Sequence, residues 1–254
     1  MKLAIMQPYF FPYIGYWQLI HASNRFLLLD DVQYMRHGWI NRNRILKPDN
    51  SSNEGWQYII APLVRHSATD AIRELSVCDL KDWRKRILAQ IDHYKKKAPY
   101  YVTTRELVKS ALYETADKRI AYINFAIIRY LSRELELECE ILLSSELSLD
   151  YSKVSDAGEW ALEIAGQMGA FSYINPISGA ELFDESKFSE IQVEVQFLQS
   201  KNICYPQYRE KFEPALSIID VLMFNGVENT RRYLQEYALH SSNINLMKSA
   251  PIKA

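Results

Sequence analysis

Cysteine, histidine and glycine are scarce in this chain of 254 residues, and their spacing excludes several common kinds of site. The three cysteines, Cys78, Cys139 and Cys204, form no C-x-x-C pair, which is typical of buried thiols in a reducing compartment. The five histidines show no His-x-x-x-His or Cys/His ligand spacing, so no metal site is predicted. Gly-rich phosphate loops of the G-x-G-x-x-G and G-x-x-x-x-G-K types are also missing, and we predict no cofactor.

An excess of either charge and a long apolar run are missing as well. Lys and Arg total 30 against 31 Asp and Glu, so the chain has no general attraction for nucleic acid or anionic lipid. Gln7, Pro12 and Gly15 interrupt the apolar stretch from Leu3 to Ile20, and neither a signal peptide nor a membrane span is predicted. We expect a cytoplasmic protein with a single domain over residues 1–254, loosely ordered after about residue 240.

The spacing of apolar residues predicts alternating strands and helices. The chain opens as strand, loop, helix and strand, and continuous apolar strands of this kind favour a parallel sheet covered on both faces. Strands are predicted at Leu3–Met6, Phe26–Leu29, Glu140–Leu143, 171–174 and Ile191–Phe197, the last at or near an edge. Helices are predicted at Tyr13–Ala22, 81–97, 104–137, Asp156–Met168, Pro214–Phe224 and Val227–Ala238. We therefore expect an α/β, Rossmann-like fold with a mostly parallel sheet and a helical middle segment.

Three local signals refine this scheme. A capping-box pattern that begins at Thr103 predicts the start of a helix. The residues from Gln33 to Leu63 flank a polar Pro48–Gly55 turn, which indicates a hairpin or an ordered loop layer. Asn225-Gly226 separates the two closing helices.

The most prominent candidate for a binding site is the segment Gln7–Tyr16, which follows the first predicted strand. Ligands of open α/β sheets bind outside the carboxyl ends of the strands, where the next helix offers free N–H groups. Its aromatic residues, prolines and glycine are compatible with either a ligand-binding loop or a proline-rich turn anchored in the core. The predicted binding residues are Gln7, Tyr9, Pro12, Gly15 and Tyr16.

A second candidate lies after the next strand. Asp30 and Asp31 are predicted at its carboxyl end, and His37 follows among several arginines. A carboxylate that orients an imidazole gives a general base, and guanidinium groups hold phosphate or carboxylate. Alternatively, the aspartates pair with Arg42 or Arg44 for purely structural reasons and His37 is simply exposed. The predicted catalytic residues are His37, Asp30 and Asp31, and the predicted binding residues are Asn41, Arg42 and Arg44.

Two later loops supply further candidates. Ser178-Gly179 follows a predicted strand, but Ser178 lacks the G-x-S-x-G setting of a nucleophile, so we expect binding rather than covalent chemistry. Tyr205 and Gln207 precede an apolar helical run that contains Asp220. An unpaired charge there would be costly, so a specific partner for Asp220 is expected.

Together these segments resemble the WbqC-like protein family over nearly the whole chain. The resemblance implies an enzyme of bacterial surface-glycan biosynthesis, of the O-antigen type. It rests on Gln7-Pro8-Tyr9-Phe10-Phe11-Pro12-x-x-Gly15-Tyr16, Asp30-Asp31-Val32-Gln33-Tyr34, Trp39-x-Asn41-Arg42-x-Arg44-Ile45, Lys97-Ala98-Pro99-Tyr100, Ser178-Gly179, Tyr205-x-Gln207, and Leu216-Ser217-Ile218-Ile219-Asp220 with Asn225-Gly226.

The opening unit is also distantly similar to that of nucleotidylyltransferases with an H-x-G-H motif. Tyr13 and Tyr16 stand at the positions of the two histidines. Tyrosine is neutral near pH 7 and does not supply the positive charge that phosphate transfer needs there. The comparison therefore favours a shared fold over a shared adenylyl-transfer reaction.

Three functions remain open at this point. The first is transfer of an acyl or aminoacyl group to the amine of a nucleotide-linked amino sugar, from a thioester donor such as an acyl carrier protein or coenzyme A. His37, the two aspartates, Asn41 and Arg42 could supply its base and its oxyanion donors. The second is nucleotidyl transfer, and the third is a non-catalytic binding role in a glycan pathway. The sequence makes no prediction of the oligomeric state.

Overall fold

The computed structural model describes residues 1–48 and 55–241, and a six-stranded sheet is the largest sheet within them. Its strand order is β5-β2-β1-β6-β7-β8, with every pair parallel except the antiparallel pair β7–β8. The strands are β1 (Lys2–Met6), β2 (Arg25–Leu28), β5 (Glu140–Leu143), β6 (Ser172–Pro176), β7 (Glu194–Ser200) and β8 (Tyr237–Ser241). The predicted Rossmann-like, mostly parallel sheet is therefore present.

Helices cover both faces of this sheet because alternate side chains of each strand point to opposite faces. On one face Leu3 and Ile5 pack with Ile164 and Phe188. On the other face Ala4 belongs to a larger apolar cluster that includes residues of five helices. The helices are α1 (Ile14–Ala22), α2 (Trp83–Ile91), α3 (Tyr101–Leu112), α4 (Ile120–Glu134), α5 (Glu159–Gln167), α6 (Glu185–Glu190) and α7 (Ile218–Leu234). In the part of the chain described, no helix is long and apolar enough to cross a membrane.

The helical middle segment consists of α2, α3 and α4, as the sequence predicts. The sequence predicts an apolar stripe along one face of α4, and this stripe is buried. Its members Ile120, Ile123, Ile127 and Leu131 are between 0% and 1% exposed. The predicted start of a helix at Thr103 is wrong. The helix begins at Tyr101, and the Thr103 hydroxyl donates backwards to the carbonyl of Tyr100 within the first turn.

A separate antiparallel hairpin joins β3 (Arg42–Leu46) to β4 (Trp56–Ile60). The sequence predicts a hairpin here, although most of its predicted turn, residues 49–54, lies outside the described residues. Arg42, Arg44 and Leu46 share one face with their cross-strand partners, because side chains in a strand alternate. Asn43 and Ile45 point the other way and are buried.

The strand predicted at Ile191–Phe197 lies near an edge of the sheet, as expected. The strand runs from Glu194 to Ser200 and lies between β6 and β8. The sequence assigns Tyr237 and Ala238 to a helix, whereas the structure places them in β8, which covers the edge. The predicted polar tail beyond residue 241 lies outside the described residues.

The break between the two closing helices is confirmed within α7. Gly226 has φ 68° and ψ −178°, a backbone conformation that is essentially restricted to glycine. The ring of Tyr100 lies against it, so that an added Cβ would be 2.7 Å from two ring carbons. Glycine is required here both for its backbone angles and for this close approach.

Substitution Gly226→Ala is expected to lower the free energy of unfolding by about 2–5 kcal/mol, because backbone strain and overpacking against Tyr100 add. Gly169→Ala is a matched control: Gly169 has φ 64°, but nothing lies within 4 Å of its added Cβ. It is expected to cost about 1–2 kcal/mol from strain alone. Equilibrium denaturation in urea measures both values, and equal losses would contradict the role assigned to Tyr100.

Candidate functional site

The carboxyl ends of β1, β2 and β6 lie at one edge of the sheet, since these strands are parallel neighbours. Gln7 follows β1, Asp30 follows β2 and Ser178 follows β6. The three loops predicted from the sequence therefore begin on the same side of the sheet, where these strands have their carboxyl ends. From β1 the chain adds β2 and β5 on one side, and β6, β7 and β8 on the other. The strand order thus reverses between β1 and β6, where α/β proteins of this kind bind their ligands.

Buried polar side chains from distant segments hold the loop after β1 in place. Asn43 Nδ2 donates to the carbonyl of Phe11 at 3.0 Å, and Ser217 Oγ donates to the same oxygen at 2.7 Å. Asn124 Nδ2 of α4 donates to the carbonyl of Pro8 at 2.7 Å. These three residues fix the shape of the loop. No local sequence pattern predicts this role, because each residue acts on a loop that is remote along the chain.

The aromatic residues of this loop pack against each other and against the start of α1. The Tyr16 hydroxyl donates to the carbonyl of Gln7 at 2.9 Å, and the Tyr9 and Tyr16 rings are 5.5 Å apart. Gly15 makes room for Tyr13, whose ring would lie 2.6 Å from an added Cβ. Burial raises the pKa of the Tyr16 hydroxyl well above its usual value. The fold thus holds the Tyr16 hydroxyl in its neutral form, and binding roles for Tyr9 and Tyr16 stay predictions.

Pro12 contributes through its backbone. Its carbonyl accepts the Trp17 indole N–H at 3.0 Å and the backbone N–H of Ile218 at 2.9 Å. These bonds join the loop after β1 to the start of α7, which gives Pro12 a structural place in the fold.

Asp30 follows β2 and is completely buried, and both of its carboxylate oxygens accept hydrogen bonds. Its carboxylate accepts hydrogen bonds from Ser144 Oγ at 2.9 Å and from the backbone N–H and hydroxyl of Ser145 at 3.0 and 2.7 Å. These donors follow β5, so Asp30 ties two neighbouring strand ends together. Within the described residues it has no hydrogen bond to His37.

Asp31 has its own structural partners. It forms an ion pair with Arg73 and accepts the Tyr151 hydroxyl at 2.9 Å. Burial and the hydrogen bond to Asp31 raise the pKa of the Tyr151 hydroxyl. In the described chain neither aspartate pairs with Arg42 or Arg44, and neither orients His37, so the predicted carboxylate–imidazole pair is not formed. Catalytic roles for Asp30, Asp31 and His37 stay predictions.

A pocket of about 260 Å³ lies at one end of the β3–β4 hairpin, where Arg42 pairs with Ile60. We call it the imidazole pocket. His37 is exposed at its rim, with a left-handed backbone at φ 65°. The polar side chains that line the pocket are Tyr34, Arg36, His37, Asn41, Arg42 and His66.

His66 is the pocket residue that sequence reasoning missed. Its Nδ1 lies 2.9 Å from the carbonyl of Val64, and because a carbonyl only accepts, Nδ1 carries the proton. Nε2 is then the acceptor nitrogen, and it is buried without a hydrogen-bond partner among the described residues. The Tyr34 ring stands edge-on to the imidazole at 5.1 Å. No local sequence pattern marks this arrangement.

Arg42 and Asn41 shape the pocket from its hairpin side. Arg42 donates from Nε to the carbonyl of Gly38 at 3.2 Å and also to the carbonyl of His37. Its guanidinium lies 4.3 Å from the centroid of the Tyr58 ring. Asn41 Oδ1 accepts the Tyr34 hydroxyl at 3.0 Å. Both predicted binding residues thus have structural partners and line the pocket as well.

Arg44 lies further along the same face of the hairpin. Its guanidinium is 5.1 Å from the ring of Trp39 and 5.2 Å from the ring of Trp56. Stacking on aromatic rings is a favourable setting for a guanidinium. Arg44 Nε is buried and has no hydrogen-bond partner in the described part of the chain.

The predicted partner of Asp220 proves to be a set of three side chains. Its carboxylate, completely buried in α7, accepts the Tyr94 hydroxyl at 2.6 Å, the Tyr205 hydroxyl at 2.8 Å and Gln207 Nε2 at 2.9 Å. Burial raises the pKa of the Asp220 carboxyl to about 6, although these three bonds act in the opposite direction. Tyr205 and Gln207, predicted to bind substrate, therefore hold a buried carboxyl group.

The Ser178 loop is open to solvent. Ser178 is exposed at the start of a short 3-10 helix after β6. Gly179 lies against Asn175, whose Nδ2 would be 2.5 Å from an added Cβ. The loop is at the predicted edge of the sheet, and any binding role of Ser178 and Gly179 stays a prediction.

The site residues described above lie within the part of the chain that matches known proteins. The WbqC-like protein family is matched over residues 7–232. The chain belongs to the WbqC-like protein family. It is also similar to an uncharacterized protein of Mycobacterium tuberculosis, with 26% identity over 231 residues, which is 89% of this chain and 95% of the relative. No solved structure matches the chain.

The segments on which the WbqC-like resemblance rests contact each other in the fold. Tyr100 of Lys97-Ala98-Pro99-Tyr100 packs on Gly226 of Asn225-Gly226. Tyr205-x-Gln207 binds Asp220 of the segment Leu216–Asp220. No group of three His, Cys, Asp or Glu side chains in residues 1–48 and 55–241 is arranged to hold a metal ion.

Proposed function

We propose that this WbqC-like protein is an enzyme that transfers an acyl or aminoacyl group to the amine of a nucleotide-linked amino sugar in surface-glycan assembly. The observation that carries the proposal is a pocket lined by His66 together with guanidinium and amide side chains, in which His66 keeps one ring nitrogen, Nε2, without a hydrogen-bond partner among the described residues. An imidazole fixed in one tautomer by a carbonyl is a suitable general base.

The chemistry requires a base and a set of donors. The amine nitrogen attacks the carbonyl carbon of a thioester, the C–N bond forms, and the C–S bond breaks as the thiol leaves. In the proposed step Nε2 of His66 takes the proton that the amine loses, and the same proton then reaches the departing sulfur. Arg36 and Arg42 supply positive charge for the oxyanion.

The size of the imidazole pocket limits what it holds. At about 260 Å³ it is slightly smaller than pockets that enclose a whole ligand of drug size. It therefore suits the reacting amine and acyl groups, while the rest of the nucleotide-linked sugar lies outside it.

The predicted alternative of nucleotidyl transfer is less well supported. At the two positions where the H-x-G-H motif has histidines, Tyr13 packs on Gly15 and Tyr16 is bonded to the carbonyl of Gln7. Neither brings positive charge to a phosphate. The family resemblance to chains associated with surface-glycan genes favours an amino-sugar substrate over a triphosphate.

The test is a direct assay of amine acylation. The purified chain is incubated with nucleotide-linked amino sugars paired with short acyl and aminoacyl thioesters of coenzyme A and of acyl carrier protein. Mass spectrometry follows the mass of the sugar, and a thiol reagent follows release of the thiol. We expect one pair to give an N-acylated sugar with one thiol released per product. Absence of product from every pair would count against the proposal.

A further inference from the structure

A second cavity, of about 240 Å³, lies at the opposite end of the β3–β4 hairpin from the imidazole pocket. We call it the cationic cavity. No aspartate or glutamate of the described residues lines it, although Asp220 lies beneath its floor. The cations that line it are Lys47, Lys96, Lys97 and Arg209.

The fold itself holds part of this charge in place. Arg209 donates from its guanidinium to the carbonyl of Gly55 at the start of β4, and Lys97 Nζ donates to the carbonyl of Tyr208 at 3.3 Å. Both partners are neutral carbonyl groups, so these two bonds position the cations without neutralising them. The carboxylate of Glu213 also lies close to Gly55, beside Arg209. Like charges gathered in one concavity repel each other and create a positive potential that attracts anions.

The floor of the cavity is rigid and partly aromatic. Tyr94 and Gln207, which line the cavity, are two of the three groups bonded to Asp220. The ring of Tyr94 lies 5.7 Å from that of Phe224, another lining residue. A floor of this kind provides apolar contact beside the cations, which suits an organic ester better than a bare ion.

His93 is a further polar residue that lines the cavity. Its Nδ1 lies 2.7 Å from the carbonyl of Gln90 and therefore carries the proton. Burial lowers the pKa of His93. Its Nε2 is buried and has no hydrogen-bond partner in the described chain.

We propose that the cationic cavity binds the phosphate group of an organic phosphate ester. Lys96, Lys97 and Arg209 meet the phosphate oxygens with charge-assisted hydrogen bonds, and Tyr94 and Phe224 contact the organic part. Two ligands of the proposed reaction carry such an ester: the nucleotide-linked sugar and a coenzyme A thioester. The proposed ligand is therefore the phosphate ester that both of them carry.

The outward face of the hairpin connects the two cavities. Arg42 lines the imidazole pocket and Leu46 lines the cationic cavity, four residues or about 13 Å apart along β3. Between them lie Arg44 and the cross-strand rings of Tyr58 and Trp56. A ligand that spans this face would place its phosphate at one end and its reacting group at the other. This spanning geometry rests on the proposed function, whereas phosphate binding does not.

Two adjacent lysines allow a matched test. Lys95 and Lys96 are both exposed in the same 3-10 turn, Asp92–Lys96, but only Lys96 lines the cavity. Isothermal titration calorimetry measures the affinity of the full chain for UDP, coenzyme A and inorganic phosphate. We expect Lys96→Gln to weaken binding of the preferred ester about tenfold, as for loss of one charge-assisted contact, and Lys96→Glu to weaken it further. Lys95→Gln and Lys95→Glu should stay within about twofold of the original chain.

The preferred probe identifies the source of the ester. Tighter binding of UDP indicates the nucleotide-linked sugar, and tighter binding of coenzyme A indicates the thioester donor. Absence of binding of either ester at millimolar concentration overturns the proposal. So do equal losses in the Lys95 and Lys96 variants, which would indicate unspecific attraction.

A pocket variant separates this proposal from the proposed function. His66 does not line the cationic cavity, and UDP carries no group that reacts in the imidazole pocket, so His66→Gln should leave the affinity for UDP unchanged. If no sugar is acylated by the original chain but Lys96→Gln still weakens ester binding, the acylation proposal fails and the phosphate site stands. If acylation occurs and the Lys96 variants bind the ester normally, the phosphate site fails and the acylation proposal stands.

Discussion

Substitution His66→Gln is expected to lower the turnover of amine acylation about a hundredfold or more, with little change in thermal stability. Glutamine removes the acceptor nitrogen at Nε2, while its amide N–H still reaches towards the Val64 carbonyl that now accepts from Nδ1. The KM for the amino sugar should change little, because the lost interaction is a proton transfer. Steady-state kinetics, with the substrate pair that gives product in the acylation assay, measures both constants.

His37→Ala is the companion variant, since the sequence predicts His37 as the base and the structure leaves it exposed without either aspartate as a partner. We expect a loss of turnover well below that of His66→Gln. Circular dichroism of both variants controls for folding. A large loss with His37→Ala and normal turnover with His66→Gln would assign the base to His37 instead.

Substitution Asp220→Ala is expected to lower the free energy of unfolding by about 3–5 kcal/mol, because it leaves buried donors without an acceptor. The hydroxyls of Tyr94 and Tyr205 and the amide of Gln207 all donate to this carboxylate. Urea denaturation measures the loss. A change below about 1 kcal/mol would show that water or rearranged side chains satisfy these donors.

The same carboxyl group also makes stability depend on pH. Its pKa is about 6 in the folded chain against a usual value of 3.8. The folded chain therefore binds the proton more tightly, and the stability that this provides is full below about pH 4 and is lost as the pH rises through about 6. Asp220→Asn cannot titrate, so this decrease of up to about 3 kcal/mol should disappear in the variant.

Asp150→Asn is the control for that pH series. Asp150 is exposed, and hydrogen bonds from Ser152 lower the pKa of its carboxyl group. Its stabilising contribution is present above its usual pKa and is lost as the pH falls towards the lowered value, in the opposite sense to that of Asp220. Between pH 5 and 7 this variant should follow the original chain. An unchanged slope in Asp220→Asn would assign the pH dependence to other groups.

The sequence predicts those parts of the fold whose signals are local. β5 at Glu140–Leu143 matches its predicted bounds, and the apolar stripe of α4 is buried as expected. The sequence does not predict β8, because its pairing with β7 joins segments that are distant in sequence. Local patterns identify strands, but the neighbours of a strand depend on the whole chain.

The candidate site shows the same difference between local sequence signals and contacts that join distant segments. The sequence correctly places Asp30 at the carboxyl end of a strand, since a run of apolar residues ends there. It does not indicate that Ser144 and Ser145 bind this carboxylate, because they follow another strand. His66 carries no local signal, and its importance appears only when Tyr34 and the hairpin are packed around it.

The pairing of β2 with β5 has a consequence for how the chain folds. Leu28 is the register partner of Leu143, so residues 29–139, with the hairpin and α2 to α4, must be closed into a loop before this pair forms. Closing so long a loop costs chain entropy that is recovered only when the strands meet, and such non-local pairings slow folding. Refolding of this half of the sheet should therefore be slower than docking of α1 on β1, and the Asp30–Ser144 bond should appear only in its last phase.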